Sequence, residues 1–211
     1  MDKLIEISSF LQKGRTKNVI TLVQEAIEEG MDPIDILNKG LLSGMNVVGE
    51  KFKNEEIFVP EVLVAARAMT KGIEVLKPHL QDEATQGIGT VVIGTVKGDL
   101  HDIGKNLVKI MLEGKGIQVI DLGTDVSAET FVEKAIEHHA KIICCSALLT
   151  TTMPEMEKVV QLVKEQQLDM KIMIGGAPVN QDYCDQIQAD YYTDDAASAS
   201  DVALSILEGN A

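Results

Sequence analysis

The sequence has no Trp, three Tyr and four Phe among its 211 residues. Platforms on which single-stranded bases stack need exposed aromatics, so that mode of nucleic-acid binding is excluded. Basic residues are outnumbered as well: 19 Lys and Arg face 33 Asp and Glu, for a net charge of −14 at pH 7. Phosphate backbones demand clustered Lys and Arg, and no nucleic-acid partner is expected. The acidic excess itself reads as a solvated surface and singles out no partner. No apolar run approaches the roughly 20 residues that span a bilayer, so no membrane association is expected either. Met1-Asp2-Lys3-Leu4-Ile5-Glu6 is acidic and helical in pattern, and no signal peptide is read there. Cysteine is scarce: Cys144 and Cys145 are adjacent within an apolar run, Cys184 stands alone, and no C-x-x-C pair occurs. Neither a disulfide framework nor a structural zinc site follows from that pattern, and a reduced cytoplasmic protein is expected.

What is present divides the chain in two. Up to residue 80, apolar residues recur at helical spacing: Val19, Ile20, Val23 and Ile27, then Ile34, Leu37, Leu41, Met45 and Val48, then Val62, Ala66, Met69, Ile73 and Leu76. Gly14 and Gly30 read as helix stops, Asp32-Pro33 as a cap followed by the first helical residue, Pro60 as an opener and Pro78 as a terminator. A four-helix bundle over 1–80 is expected. Residues 81–88 are polar and carry breakers, which marks a linker. From 89 to 211 the pattern alternates. Short β-branched runs at 90–96, 117–121, 141–146, 171–174 and 191–192 are separated by helical stretches at 103–115, 128–140, 154–166, 181–188 and 196–207. Five βα units predict a five-stranded parallel sheet of flavodoxin or Rossmann-like type, covered on both faces. Ligands of such sheets lie beyond the carboxyl ends of the strands, which directs attention to the residues that follow each run.

The first run is followed by Val96-Lys97-Gly98-Asp99-Leu100-His101-Asp102-Ile103-Gly104-Lys105-Asn106. A P-loop is excluded because no Ser or Thr follows Lys105. A dinucleotide fingerprint is excluded because Gly87 and Gly89 precede the strand. A phospho-acceptor receiver would end its third strand on Asp, where this chain has Ser146. What remains is Asp99 two residues before His101. Asp99 can accept a hydrogen bond from one ring nitrogen and leave the other free for a metal. Taken alone, the pair reads first as a solvated loop; one protein ligand makes sense if a macrocycle supplies the others. The third strand leads into Ser146-Ala147-Leu148-Leu149-Thr150-Thr151-Thr152, and the fourth into Gly175-Gly176.

Asp99-x-His101-x-x-Gly104, Ser146-x-Leu148 and Gly175-Gly176 together resemble the cobalamin-binding domain of methionine synthase and its relatives. Residues 105–145 (41 positions) and 149–174 (26 positions) separate these elements, which agrees with that family. Gly44-Met45-Asn46-Val47-Val48-Gly49-Glu50-Lys51-Phe52 and Ile57-Phe58-Val59-Pro60-Glu61-Val62-Leu63 look like its helical cap. With both domains covered, the chain is most similar to stand-alone corrinoid proteins of anaerobic methyltransferase systems.

The resemblance implies cobalamin or a related corrinoid as cofactor, as methylcobalamin in the loaded state. His101 would replace the lower base of the cofactor as cobalt ligand (base-off/His-on), Asp99 would bond His101, and Ser146 would bond Asp99 as a proton relay. Asp102, Ile103 and Gly104 would line the cofactor. The nucleotide tail would thread beside Ser146, Leu148, Thr150 and Thr152, with Gly175 and Gly176 letting the backbone approach it. Phe52 and Val59 would shield the methyl group above. Each has a plainer reading: Gly175-Gly176 as a turn, Thr150–Thr152 as a helix start, and Phe52 and Val59 as bundle core. The implied function is methyl transfer by Co(I)/methyl-Co(III) exchange. Its partners would be a substrate-specific methyltransferase, a second methyltransferase serving tetrahydrofolate or a thiol such as coenzyme M, and a reductive activating enzyme. Two alternatives share the Asp-x-His loop. A cobalamin-dependent sensor would call for a basic helix-turn-helix, and the small subunit of an adenosylcobalamin mutase would lack the helical cap.

Overall fold

The computed structural model describes residues 2–80 and 88–210. It divides into two compact units, 1–87 with 114–116, and 88–113 with 117–211. The expected linker at 81–88 lies, apart from Ile88, outside the described residues.

The first unit is helical, and its punctuation follows from local chemistry. Helix α1 (Lys3–Gln12) is capped by Asp2, whose side chain accepts from Leu4 N, and the chain turns at Gly14 with φ +63. Helix α2 (Thr16–Glu28) is followed by Gly30 at φ +77. These are the left-handed positions where glycine costs least. Asp32 caps the short α3 (Pro33–Asp35), which runs on through a π-helical stretch, Ile36–Leu42, into α4 (Ser43–Lys53). The π-helical turns were not visible in the sequence, because apolar spacing continues on either side of them. Helix α5 (Val59–Leu76) opens with Glu61 accepting from Phe58 N at 3.1 Å, and ends before Pro78 in a 3-10 turn, Lys77–His79. Ile7, Leu11, Val19, Val23, Leu41, Val62 and Met69 form the buried interior of this unit.

The second unit alternates: β1 (Thr90–Thr95), α6 (Ile103–Gly114), β2 (Gln118–Asp121), α7 (Ala128–Glu137), β3 (Ile142–Ser146), α8 (Pro154–Glu165), β4 (Lys171–Gly175), α9 (Gln181–Ile187), β5 (Tyr191–Tyr192) and α10 (Ala196–Leu207). All five strands are parallel, in the order β2-β1-β3-β4-β5. Strand periodicity of two sends successive residues to opposite faces. Val92, Ile143, Cys145, Ile172 and Ile174 pack with Phe131, Val159 and Cys184 from α7, α8 and α9. Val91, Ile93, Ile142, Cys144 and Met173 pack with Leu112, Ala199 and Ala203 from α6 and α10. Both faces are therefore apolar and covered, which is why the strand runs read as continuous β-branched stretches.

The strand order also places the site. From β1 the chain moves outward to β2, then returns to the other side of β1 to form β3. The loops leaving β1 and β3 face one another at this switch point, where an open α/β sheet has its natural crevice.

Candidate functional site

Asp99 is fully buried in the loop after β1 and receives donors on both carboxylate oxygens. Its Oδ1 accepts from His101 N at 3.0 Å and lies 2.7 Å from His101 Nδ1. Its Oδ2 accepts from Leu148 N at 2.8 Å, Leu149 N at 3.3 Å and Thr152 Oγ1 at 2.8 Å. Burial alone would raise the carboxyl pKa. The Leu148 and His101 amides, the His101 ring and the Thr152 hydroxyl outweigh that and hold it well below the usual carboxylate range. An ionised carboxylate only accepts, so in the neutral ring the proton sits on Nδ1 and the lone pair on Nε2. The His101 side chain is 52% exposed, unlike that of Asp99. Its backbone is fixed too, since the buried Thr95 donates from Oγ1 to His101 O at 2.9 Å.

Four large aliphatic side chains are exposed on the loops after β1 and β3. Leu100 and Ile103 are 74% and 80% exposed, and Leu148 and Leu149, adjacent to each other on the loop after β3, are exposed as well. Exposed aliphatic side chains at the mouth of a switch-point crevice mark a surface built to be covered. Gly104, in the first turn of α6, has no atom within 4 Å of where a Cβ would stand.

Three expected residues behave differently from the sequence reading. Ser146 was expected to bond Asp99; among the described residues the hydroxyl that does so is that of Thr152. Ser146 ends β3 in register with Thr95 and Gly175. The chain then turns back, and only from residue 148 onward do its donors converge on Oδ2. Thr152 is correspondingly buried and engaged with Asp99, while Thr150 remains exposed. Gly176 has φ +135, and a Cβ there would stand 1.8 Å from Ala147 O. It is glycine because its own chain passes too close for anything else. Gly175 carries no such demand, since a Cβ would meet only Thr193 O at 3.5 Å.

Asp102 is half-buried, with Oδ2 accepting from Asn106 Nδ2 at 3.0 Å in the first turn of α6. In the helical unit, Phe52 lies near the end of α4 and Val59 begins α5, both half-buried on either side of the connection 54–58. Cys144 and Cys145 are buried in β3, and burial pushes the Cys144 thiol up to about 12, which makes it inert at neutral pH. Sequence reasoning missed two further features of this end of the sheet. The buried Lys105 of α6 lies 2.5 Å from Asp121 Oδ1 at the end of β2. Asp125, with φ +56, accepts from Gly98 N at 2.7 Å. A carboxylate at a strand's carboxyl end was the available signal for both.

A buried carboxylate thus orients one exposed histidine at the switch point of the sheet. Residues 89–201 match the family described as the B12 binding domain, and residues 6–77 match a second family of the same description. The chain belongs to this B12-binding family of corrinoid proteins. It is 46% identical over 189 residues to trimethylamine corrinoid protein 1 of Methanosarcina acetivorans, covering 88% of this chain and 86% of the relative. The crystal structure of the methanol:cobalamin methyltransferase complex from Methanosarcina barkeri superposes with a TM-score of 0.91 at 36% identity, over 99% of this chain and 81% of that one. A cobalamin-binding protein from Desulfitobacterium hafniense superposes with a TM-score of 0.79 at 30% identity, over 96% and 97%. No helix among the described residues is long and apolar enough to cross a membrane.

Proposed function

We propose that this chain is a methyl carrier that holds a corrinoid in the base-off/His-on form, with His101 as the lower axial ligand. The observation that carries this reading is the asymmetry of the His101 ring. Nδ1 is committed to a buried, ionised Asp99, while the side chain is half exposed and Nε2 has no hydrogen-bond partner among the described residues. The residues fit the group. One nitrogen ligand suits a metal whose remaining ligands come with a macrocycle. Leu100, Ile103 and Leu148 offer the apolar contact such a ring needs, and Gly104 and Gly175 leave room for close approach. Bound there, the corrinoid supplies a cobalt centre that takes up a methyl group and gives it up again.

The protein's own part is to hold and orient the ligand. Asp99 fixes the tautomer, and Thr152 with the Leu148 and Leu149 amides fixes Asp99. Ser146, Leu148, Thr150 and Gly175 line the entrance for the displaced nucleotide tail. Phe52 and Val59 are the helical unit's candidates for shielding a methyl group.

The likeness to a trimethylamine corrinoid protein supports methylated amines as the donor class, delivered by a substrate-specific methyltransferase. A second methyltransferase would pass the methyl group to tetrahydrofolate or a thiol such as coenzyme M, and a reductase would restore cobalt that has been oxidised. Three free, buried cysteines support a reducing, cytoplasmic setting. Substituting His101→Ala tests the ligation. The methylcobalamin-loaded variant should show the absorption of a corrinoid without a nitrogen lower ligand. An unchanged spectrum together with unchanged methyl transfer to and from the partners would overturn the proposal.

A further inference from the structure

The loop that carries Asp99 and His101 is braced from both sides, and the two braces grip different things. On the β3 side, Leu148, Leu149 and Thr152 grip the Asp99 carboxylate. On the β2 side, residues 123–126 grip the backbone. Thr95 N donates to Gly123 O at 2.9 Å, Val126 N donates to Thr95 O at 3.0 Å, and Val126 pairs with Val96 in a parallel bridge. The chain beyond β2 thus continues alongside β1 past the end of the strand.

Asp125 completes this second brace, and it does so twice. Its N–H donates to Asp99 O at 3.0 Å, and its Oδ1 accepts from Gly98 N at 2.7 Å. Gly98 and Asp125 both have left-handed backbones, φ +80 and +56. Glycine adopts that region freely, and Asp or Asn adopt it more readily than other side chains. A Gly98 free to rotate would swing Asp99 and the following residues, so a bond that pins the Gly98 amide limits where the His101 ring can point.

The geometry points to Asp125 as a positioning residue for the axial ligand: it holds Gly98 and Asp99 by their backbones and so fixes the place from which His101 is presented. It acts through the loop, and its bonds go to Gly98 and Asp99 rather than to His101. This inference rests on the reading of His101 as the corrinoid ligand. A plain loop-closing role would give the same contacts, so a readout of ligation has to separate the two.

Three proteins suffice: wild type, Asp125→Asn and Asp125→Gly. The Asn variant keeps an acceptor oxygen and tolerates the left-handed backbone; the Gly variant keeps the backbone and loses the acceptor. Each is loaded with cobalamin and reduced to cobalt(II), and the fraction showing nitrogen splitting in its electron paramagnetic resonance spectrum is measured. The ligand-free proteins are compared by hydrogen exchange at the Gly98 amide. The Gly variant should lower the ratio of His-on to His-off protein about five- to tenfold and speed Gly98 exchange by a similar factor, the size expected for one hydrogen bond from an exposed side chain. The Asn variant should stay within about twofold of wild type. A Gly variant with the wild-type His-on ratio overturns the inference, whatever its melting temperature, and so does an Asn variant that falls as far as the Gly variant. Wild-type protein with no nitrogen splitting would instead sink the reading of His101, and this inference with it. A wild-type signal that persists in the Gly variant would sink this inference alone.

Discussion

Thr152 Oγ1 stands 2.8 Å from Asp99 Oδ2, on the oxygen opposite the one that meets His101. One buried carboxylate therefore joins the exposed imidazole on one loop to a buried hydroxyl on another. The link crosses from the end of β1 to the end of β3, the two strands that flank the switch point.

The first prediction follows from that contact. Thr152→Val preserves shape and removes the hydroxyl, leaving Asp99 with backbone donors on Oδ2. Loss of a hydrogen bond to a buried charge costs about 1.5–3 kcal/mol. Ser146→Ala, which touches none of the Asp99 bonds, should stay within about 0.5 kcal/mol of wild type. Urea unfolding of the cofactor-free proteins measures both. If Ser146→Ala costs as much as Thr152→Val, the assignment of the hydroxyl is wrong.

Much of the architecture was legible because it depends on period and punctuation. Strand and helix spacing gave five βα units whose observed edges differ from the expected ones by a few residues at most, as at 128–140 against Ala128–Glu137. Gly14, Gly30 and Asp32 announced helix boundaries because their chemistry is local. Asp99 and His101 were legible for the same reason, lying two residues apart on one loop. The partners of Asp99 were not. Which hydroxyl reaches it depends on how the chain turns after β3, and the approach of Asp125 to Gly98 depends on β2 lying beside β1. Neither the turn nor the strand order is written in residue spacing. The π-helical stretch Ile36–Leu42 escaped for a related reason, since apolar periodicity does not register an added residue per turn.

Gly175 and Gly176, adjacent in sequence, should fail in different assays. At Gly176 an added Cβ would overlap Ala147 O, and the φ of +135 strains any side chain. Gly176→Ala should destabilise the cofactor-free protein by at least about 2–3 kcal/mol through backbone strain and overpacking. At Gly175 an added Cβ makes an ordinary contact with Thr193 O, so Gly175→Ala should change stability by less than about 1 kcal/mol. Its cost should appear in cobalamin affinity, if the tail runs past this residue. Thermal melts without cofactor and a cobalamin titration read the two effects separately. Wild-type affinity in a stably folded Gly175→Ala protein would remove Gly175 from the proposed channel.

Acid should loosen the helix that follows His101. Lys105 of α6 is buried, with Nζ 2.5 Å from Asp121 Oδ1, and Lys109 lies 3.2 Å from Oδ2. Gly123 N donates to the same carboxylate at 3.0 Å. Burial pulls the Asp121 carboxyl pKa upward, but Lys105, the Gly123 amide and Lys109 outweigh it and set the net direction downward. A carboxyl whose folded pKa lies below its unfolded value of about 3.9 contributes stability that is fully present above that value. The contribution is lost as pH falls through the folded pKa, because the unfolded chain binds the proton first. Asp121→Asn removes the carboxylate at every pH and strands the buried Lys105, at a cost of about 2–4 kcal/mol near neutrality. The stability gap between wild type and Asp121→Asn should therefore hold steady above about pH 5 and close below about pH 4. Urea unfolding across that range reads the gap directly. A gap that persists or widens in acid would mean that Asp121 does not anchor α6 through Lys105.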